Sequence, residues 1–336
     1  MNTNRPTVQF GNPCNNHLLN NPLYIVTLGL TALVIVTGLS SCENNQDCVS
    51  DQVIDQSRGV CDETLSISPS FAMTINGTYR VFTSNNIPEH KVGLFGPFAG
   101  SLNPNAISAQ NSRYSIPLNP VIAATMTPLL STTGNGPAIG PQYAFGILLN
   151  GVELDPVAAE PFPHNPTPIS NQNWEWNLEA SNVKIGLDCN NAHVQPTGKY
   201  HYHGSPLNFL DSINAVPGKM TLIGYAADGF PIYYQYGHAI ASDSASAIVR
   251  LTSSYQLKTG ERPGNGRSAP CGLYDGVYSN DYEFVPGLGD LDEANGRTGV
   301  TLEYPSGTYY YVITDEFPSV PRYLVGSPSQ DFKIGP

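Results

Sequence analysis

The sequence predicts a mainly β protein, an antiparallel sandwich or distorted barrel with long loops. Three observations carry this expectation. Glycine and proline are unusually frequent, at 32 and 29 of 336 residues, where each normally makes up ~5–7% of a chain. Three segments place alternating apolar residues on both sides of a turn pair: "FAMTINGTYRVF" around Asn76-Gly77, "YAFGILLNGVEL" around Asn150-Gly151 and "MTLIGYAADGFPIYY" around Asp228-Gly229. Asn-Gly and Asp-Gly tolerate the positive φ angles that two-residue hairpin turns demand. Finally, no long segment has an apolar period of 3.6 residues, the mark of an amphipathic helix. Only "DSASAIVRLTSSYQL" is compatible with a short helix.

In chain order, the first element is not part of the fold. An apolar run, "PLYIVTLGLTALVIVTG", extends from Pro22 to Gly38 and is followed by Leu39-Ser40-Ser41-Cys42. An apolar core followed by small residues is the pattern of an export signal. Its ending on cysteine is similar to the lipobox of bacterial lipoproteins, where that cysteine is lipidated and becomes the first residue. Residues 1–41 are therefore expected to be a lipoprotein signal peptide and Cys42 the lipidation site. The rest would lie in the cell envelope, lipid-anchored and facing the periplasm or the outside. The rival is an uncleaved membrane anchor, for which ~17 apolar residues barely suffice. Residues 42–66 are polar and acidic and read as a tether. A single β domain is expected over 67–336.

The net charge of −12, with no basic patch, argues against nucleic acid as a partner, because phosphate backbones select basic faces. The expected membrane contact is through the lipid. Of six cysteines, Cys14 falls in the signal segment and Cys42 would carry lipid, leaving Cys48, Cys61, Cys189 and Cys271. An even number in an exported domain points to two disulfides. Proximity in sequence favours Cys48 with Cys61, which leaves Cys189 with Cys271. With no C-x-x-C pair, a zinc site made of cysteines is not supported.

The chemistry concentrates in "GKYHYHGSP", residues 198–206. In a strand, successive side chains face opposite ways, so Tyr200 and Tyr202 share one face and His201 and His203 the other, about 7 Å apart along the strand. Two imidazoles at that spacing can converge on one metal ion. His193 lies upstream across the turn "VQPTG", and a hairpin there would return it beside them. Three neutral imidazoles suit a transition metal, zinc or copper above calcium. Asp188, Asn190 and Asn191 could supply a fourth ligand or orient the histidines. The plainer reading is a hydrogen-bonded pair of strand histidines without metal.

Other candidates are weaker. "GDLDEANGR", with Asp290, Asp292, Glu293 and Asn295, departs from the EF-hand calcium loop and reads as an Asx-rich turn. Asp228 is most simply the first residue of its hairpin turn. Trp174 and Trp176 share one strand face and read as packing residues, with a sugar-stacking platform as the lesser reading. No serine-nucleophile elbow, zincin helix or phosphate-binding loop occurs. Whether the chain is an enzyme is left open. A metal-dependent hydrolase using Asp228 or Glu293 as base is one alternative to a metal-binding envelope protein. A metal-free binding or adhesion module that uses its 19 tyrosines is the other.

Two stretches echo each other: "LDCNNAHVQPTGKYHYH" from Leu187 and "LDEANGRTGVTLEYPSGTYYYV" from Leu291. The second has Tyr310 and Val312 where the first has His201 and His203, so a strand of this kind does not need histidine to form. These stretches, with "LIGYAADGFPIYY" and "FPSVPRYLVG", resemble the YHYH-domain family over roughly Asn150 to Gly326. The resemblance implies an exported, often lipid-anchored bacterial protein. It supports His193, His201 and His203 as a functional cluster and implies no particular activity.

Overall fold

All three turn pairs close hairpins as expected. In the computed structural model, which describes residues 48, 52–133, 139–164 and 172–334, strands Phe71–Asn76 and Tyr79–Ser84 pair around Gly77, whose φ is 61°. Gly151 and Gly229 take φ values of 82° and 95° in the other two turns, a region open to glycine because it lacks Cβ.

The latter two hairpins form the centre of an eight-stranded open sheet. From edge to edge its strands are Ala192–Val194, Tyr200–Tyr202, Glu153–Leu154, Gly146–Leu148, Thr221–Ala226, Pro231–Tyr234, Thr308–Ile313 and Gly296–Gly299. The pairing is mostly antiparallel. The exceptions are Tyr200–Tyr202 beside Glu153–Leu154, and Pro231–Tyr234 beside Thr308–Ile313. The sheet does not close, so the barrel alternative is set aside. A three-stranded sheet of Phe71–Asn76, Tyr79–Ser84 and Ser112–Pro117 shares one apolar core with it. Phe82, Tyr114 and Ile116 from the small sheet cluster with Ile147, Tyr200, Tyr202, Tyr225 and Tyr311 from the large one. This is the two-layer arrangement that buries one face of each sheet.

The two echoing stretches occupy the two ends of the large sheet, and each repeats the other's pairing. In the first half, a hairpin turning at Asn150-Gly151 is followed by the hairpin Ala192–Val194/Tyr200–Tyr202, whose second strand runs parallel to Glu153–Leu154. In the second, a hairpin turning at Asp228-Gly229 is followed by Gly296–Gly299/Thr308–Ile313, whose long strand runs parallel to Pro231–Tyr234. The halves meet along Gly146–Leu148 and Thr221–Ala226, with Tyr225 opposite Ile147. A Cβ on Gly146 would lie 2.5 Å from the Tyr225 carbonyl oxygen, and one on Gly224 2.5 Å from that of Ile147. Glycine at both positions lets the central strands approach. Register equates Tyr202 with Tyr311, His201 with Tyr310 and His203 with Val312. The domain is thus an internal pseudo-twofold duplication.

The remaining differences from expectation are local. The stretch 243–257 is not helical; it holds strands Ile248–Arg250 and Tyr255–Leu257. The α-helix is instead Leu207–Ser212, which buries Phe209 and Leu210. Trp176 is buried and meets Tyr278 edge-on, while Trp174 stays half-buried.

The disulfides join Cys48 to Cys271 and Cys61 to Cys189, which corrects the expected partners while keeping the same four cysteines. The reason is that the expected tether is not free over its described part. The Asp55 amide donates to the Asn182 carbonyl, that of Gly59 to Leu187 and that of Glu63 to Val92. These bonds lay the segment against the domain and carry each of its cysteines to a distant partner. The signal segment and Cys42 lie outside the described residues. No helix of the described residues is long and apolar enough to cross a membrane.

Candidate metal centre

Strand alternation divides the YHYH motif by face, as expected. Tyr200 and Tyr202 are fully buried in the shared core. The Tyr200 hydroxyl donates to Asp188 Oδ2 at 2.8 Å. The Tyr202 hydroxyl lies 2.6 Å from His90 Nε2 and accepts from Asn150 Nδ2 at 2.9 Å. On the other face, His201 and His203 are each 2% exposed. The hairpin returns His193 directly opposite His201.

The three imidazoles meet edge to face or tilted, with ring centroids 4.6–4.8 Å apart. His203 Nε2 lies 3.0 Å from His201 Nε2 and 3.0 Å from His193 Nε2. The outer nitrogens fix the tautomers. His193 Nδ1 faces the Ile185 carbonyl at 3.2 Å and His201 Nδ1 faces the Lys199 carbonyl at 3.3 Å. A carbonyl only accepts, so both Nδ1 atoms carry the proton and both Nε2 atoms present lone pairs to His203. The single Nε2 of His203 can donate to one of them at most. One close contact between lone pairs is left over, which a shared cation or proton would relieve.

A proton is disfavoured. Burial, reinforced by the neighbouring imidazoles, holds His201 and His203 well below the ordinary histidine range. Burial also lowers His193. Burying a charge in such a place is costly unless it is paired. Metal ligation needs neutral imidazole, so the same burial that rejects a proton keeps the ligands ready. Among the described residues this is the cluster of histidine, cysteine or acidic side chains able to hold a metal ion. Tetrahedral zinc with bonds of ~2.1 Å would set the nitrogens about 3.4 Å apart, between the two 3.0 Å contacts and the 4.8 Å within which all three lie.

The duplication supplies an internal control. At the equivalent positions, Tyr310 and Val312 join Tyr233, Leu251 and Leu291 in an apolar cluster, and Arg297 Nε donates to the Tyr310 hydroxyl at 2.6 Å. The scaffold closes that face with ordinary packing in one half and with three histidines in the other.

The proposed supporting residues turn out to build the turn that carries His193. Asp188 is fully buried and accepts four hydrogen bonds, from Tyr200, from the Gly93 amide, and from the amides of Asn190 and Ala192. Its oxygens are thereby committed, and it is not brought into the histidine cluster. Asn191, at φ 54°, gives its carbonyl to the His203 amide at 2.7 Å. Its side chain takes Arg58 Nε at 2.6 Å. Asn190 is tied to Asn208 and Lys91. Asp228 lies in the other half and accepts from Tyr311 and the Gly326 amide; burial pushes its carboxyl up to about 6. Asp292 Oδ1 accepts from the amides of Ala294 and Gly296 and from Tyr309. Asp290 Oδ2 accepts from Thr252. Asp292 is turn-forming, as the Asx reading expected, while Asp290 ties its turn to Thr252. Neither Asp228 nor Glu293 is part of the histidine cluster.

Sequence reasoning gave no part to His90, Arg58 or Asn150, which brace the motif from remote positions in the chain. Only Asn150, in its Asn-Gly pair, carried a local signal.

A family model described as YHYH protein matches residues 113–326, more than half of the chain. No curated protein and no solved structure gives a significant match.

Proposed function

The chain belongs to the YHYH protein family, and on that premise we propose that it is an exported cell-envelope protein whose His193, His201 and His203 bind one transition-metal ion, zinc or copper. The observation that carries this reading is the convergence of three Nε2 atoms, two of them with tautomers fixed by main-chain carbonyls, in a setting that rejects a proton. The two disulfides fit an oxidising compartment outside the cytoplasm. Attachment through lipid on Cys42 completes the proposal.

A buried centre supports a structural, storage or electron-transfer role over hydrolysis. Two histidines are 2% exposed, and none of the three lines the two cavities of about 580 Å³ beside Tyr282 and Phe317. Elemental analysis of the exported domain tests the reading. The expected result is about one equivalent of zinc or copper per chain, lost in His201→Ala and in His203→Ala. Full metal content in both variants, or none in the wild type after incubation with each metal, contradicts it.

A further inference from the structure

One outer nitrogen of the histidine cluster is unaccounted for. The Nδ1 atoms of His193 and His201 face main-chain carbonyls, whereas His203 Nδ1 is buried and has no hydrogen-bond partner. The same holds for one carboxylate oxygen, Asp155 Oδ1. Asp155 is 3% exposed, and buried polar atoms are nearly always paired. A ring nitrogen can carry a proton and a carboxylate can accept one, so the two orphans are complementary.

The sheet sets their residues side by side. Strand Tyr200–Tyr202 runs parallel to Glu153–Leu154, with His201 opposite Glu153 and Tyr202 opposite Leu154. One step further His203 falls beside Asp155, and the Asp155 amide donates to the Tyr202 carbonyl at 2.9 Å. Both residues lie two positions beyond the His201–Glu153 pair and so share its face, on strands ~4.8 Å apart, within reach of two short side chains. Burial lowers His203, and the Pro156 carbonyl acts in the opposite direction, which places the 155–156 segment against the ring. Asp155 Oδ2 is held by Gln195 Nε2 at 3.2 Å, so Oδ1 is the free acceptor. Glu153, by contrast, is committed to Lys199 at 2.8 Å and to the Tyr114 hydroxyl at 2.6 Å. Asp155 takes part in none of the ion pairs of the described residues.

Without metal, the lone pairs of His193 and His201 point at His203 Nε2, which carries the ring proton and donates to one of them. A metal ion takes the Nε2 lone pair, and the ring proton must then sit on Nδ1. One proton leaves Nε2 and one arrives at Nδ1, so the imidazole stays neutral. The new Nδ1–H needs an acceptor, and ligating histidines characteristically give it to a carboxylate or a carbonyl. We infer that Asp155 is the positioning residue for His203: in the metal-bound protein its Oδ1 accepts the Nδ1–H and holds the ring with Nε2 toward the ion. This inference rests on the metal reading proposed above. The carboxylate is favoured over the Pro156 carbonyl because an ionised acceptor makes the stronger bond and offsets part of the charge of a buried cation.

The test measures zinc affinity of the full exported domain by competition with a chelator, and the ring N–H groups of the zinc-loaded protein by nitrogen–proton correlation spectra. Asp155→Asn is expected to weaken zinc binding ~10–100-fold, with about one equivalent still bound at saturation. The His203 Nδ1–H resonance is expected to move in that variant, while those of His193 and His201, bonded to main-chain carbonyls, stay in place. An Asp155 that served only to hold Gln195 would not single out His203. Unchanged affinity or an unmoved His203 resonance overturns the inference. The zinc-loaded wild type gives a readout that does not depend on the variant folding. Its crystal structure is expected to show Asp155 Oδ1 about 3 Å from His203 Nδ1, and the Pro156 carbonyl in that place overturns the inference. A wild type that binds no zinc overturns it together with the metal reading, whereas zinc held by the three histidines with Asp155 Oδ1 still unpaired overturns it alone.

Discussion

Replacing Tyr200 by phenylalanine separates the two faces of the motif. The Tyr200 hydroxyl donates to Asp188 Oδ2 at 2.8 Å, and both residues are fully buried. Removing it leaves that oxygen with the Gly93 amide at 3.0 Å, while Oδ1 keeps the amides of Asn190 and Ala192. Both groups are sealed from bulk solvent in the wild type. A hydrogen bond to a charged acceptor contributes about 1.5–3 kcal/mol, and the retained ring leaves little new cavity. The expected loss is therefore about 1.5–3 kcal/mol, or a fall in Tm of roughly 3–6 °C for a domain of this size. Metal content is expected to stay at the wild-type level, because the ring points away from the histidines and three of the four bonds that shape the turn remain. Thermal unfolding of metal-free protein gives the first quantity and elemental analysis the second. An unchanged Tm with metal lost as completely as in His201→Ala would refute the division by face.

Metal-free protein is expected to weaken in acid. Each of the three histidines has a folded-state pKa below its ordinary value. The stability they permit is thus complete above ~6.5 and falls as pH drops, because the unfolded chain then takes protons the folded one refuses. The slope approaches about 1.4 kcal/mol per pH unit for each histidine, and urea unfolding at several pH values between 7.5 and 5 measures it; a flat profile contradicts the burial argument. Non-reducing peptide mapping is expected to recover Cys48 with Cys271 and Cys61 with Cys189. Removing the second bridge by a Cys61→Ser/Cys189→Ser double substitution is expected to cost about 2–5 kcal/mol, read by the same unfolding assay. Cys42→Ala is expected to release the protein from the membrane fraction, and unchanged fractionation would reject the lipid anchor.

The hairpins were legible because their determinants are local: an Asn-Gly or Asp-Gly pair sits in the same short window as its strands. The face assignment of His201 and His203 was legible for the same reason, since alternation is a property of one strand. The partners of the cysteines were not. Cys61 sits next to Cys189 because the Gly59 and Glu63 amides dock on Leu187 and Val92, and nothing near Cys61 in sequence announces those contacts. The echo between Leu187 and Leu291 was visible as text. Its meaning needed the sheet order, which places the copies at opposite edges and makes Tyr310 and Val312 the counterparts of His201 and His203. The parallel pairings were hidden likewise, because they join segments dozens of residues apart. Asp188 was misjudged for a different reason: a carboxylate beside histidines invites a ligand role, and only the four donors around it show that it shapes the turn.

The most direct measurement is anomalous diffraction from a crystal of the domain grown with zinc, collected on both sides of the zinc edge. The account predicts one strong peak between the imidazoles, about 2.1 Å from Nε2 of His193, His201 and His203, with the Asp188 oxygens still bound to Tyr200 and the turn amides. A crystal that takes up zinc elsewhere while the three Nε2 atoms remain in direct contact would contradict it.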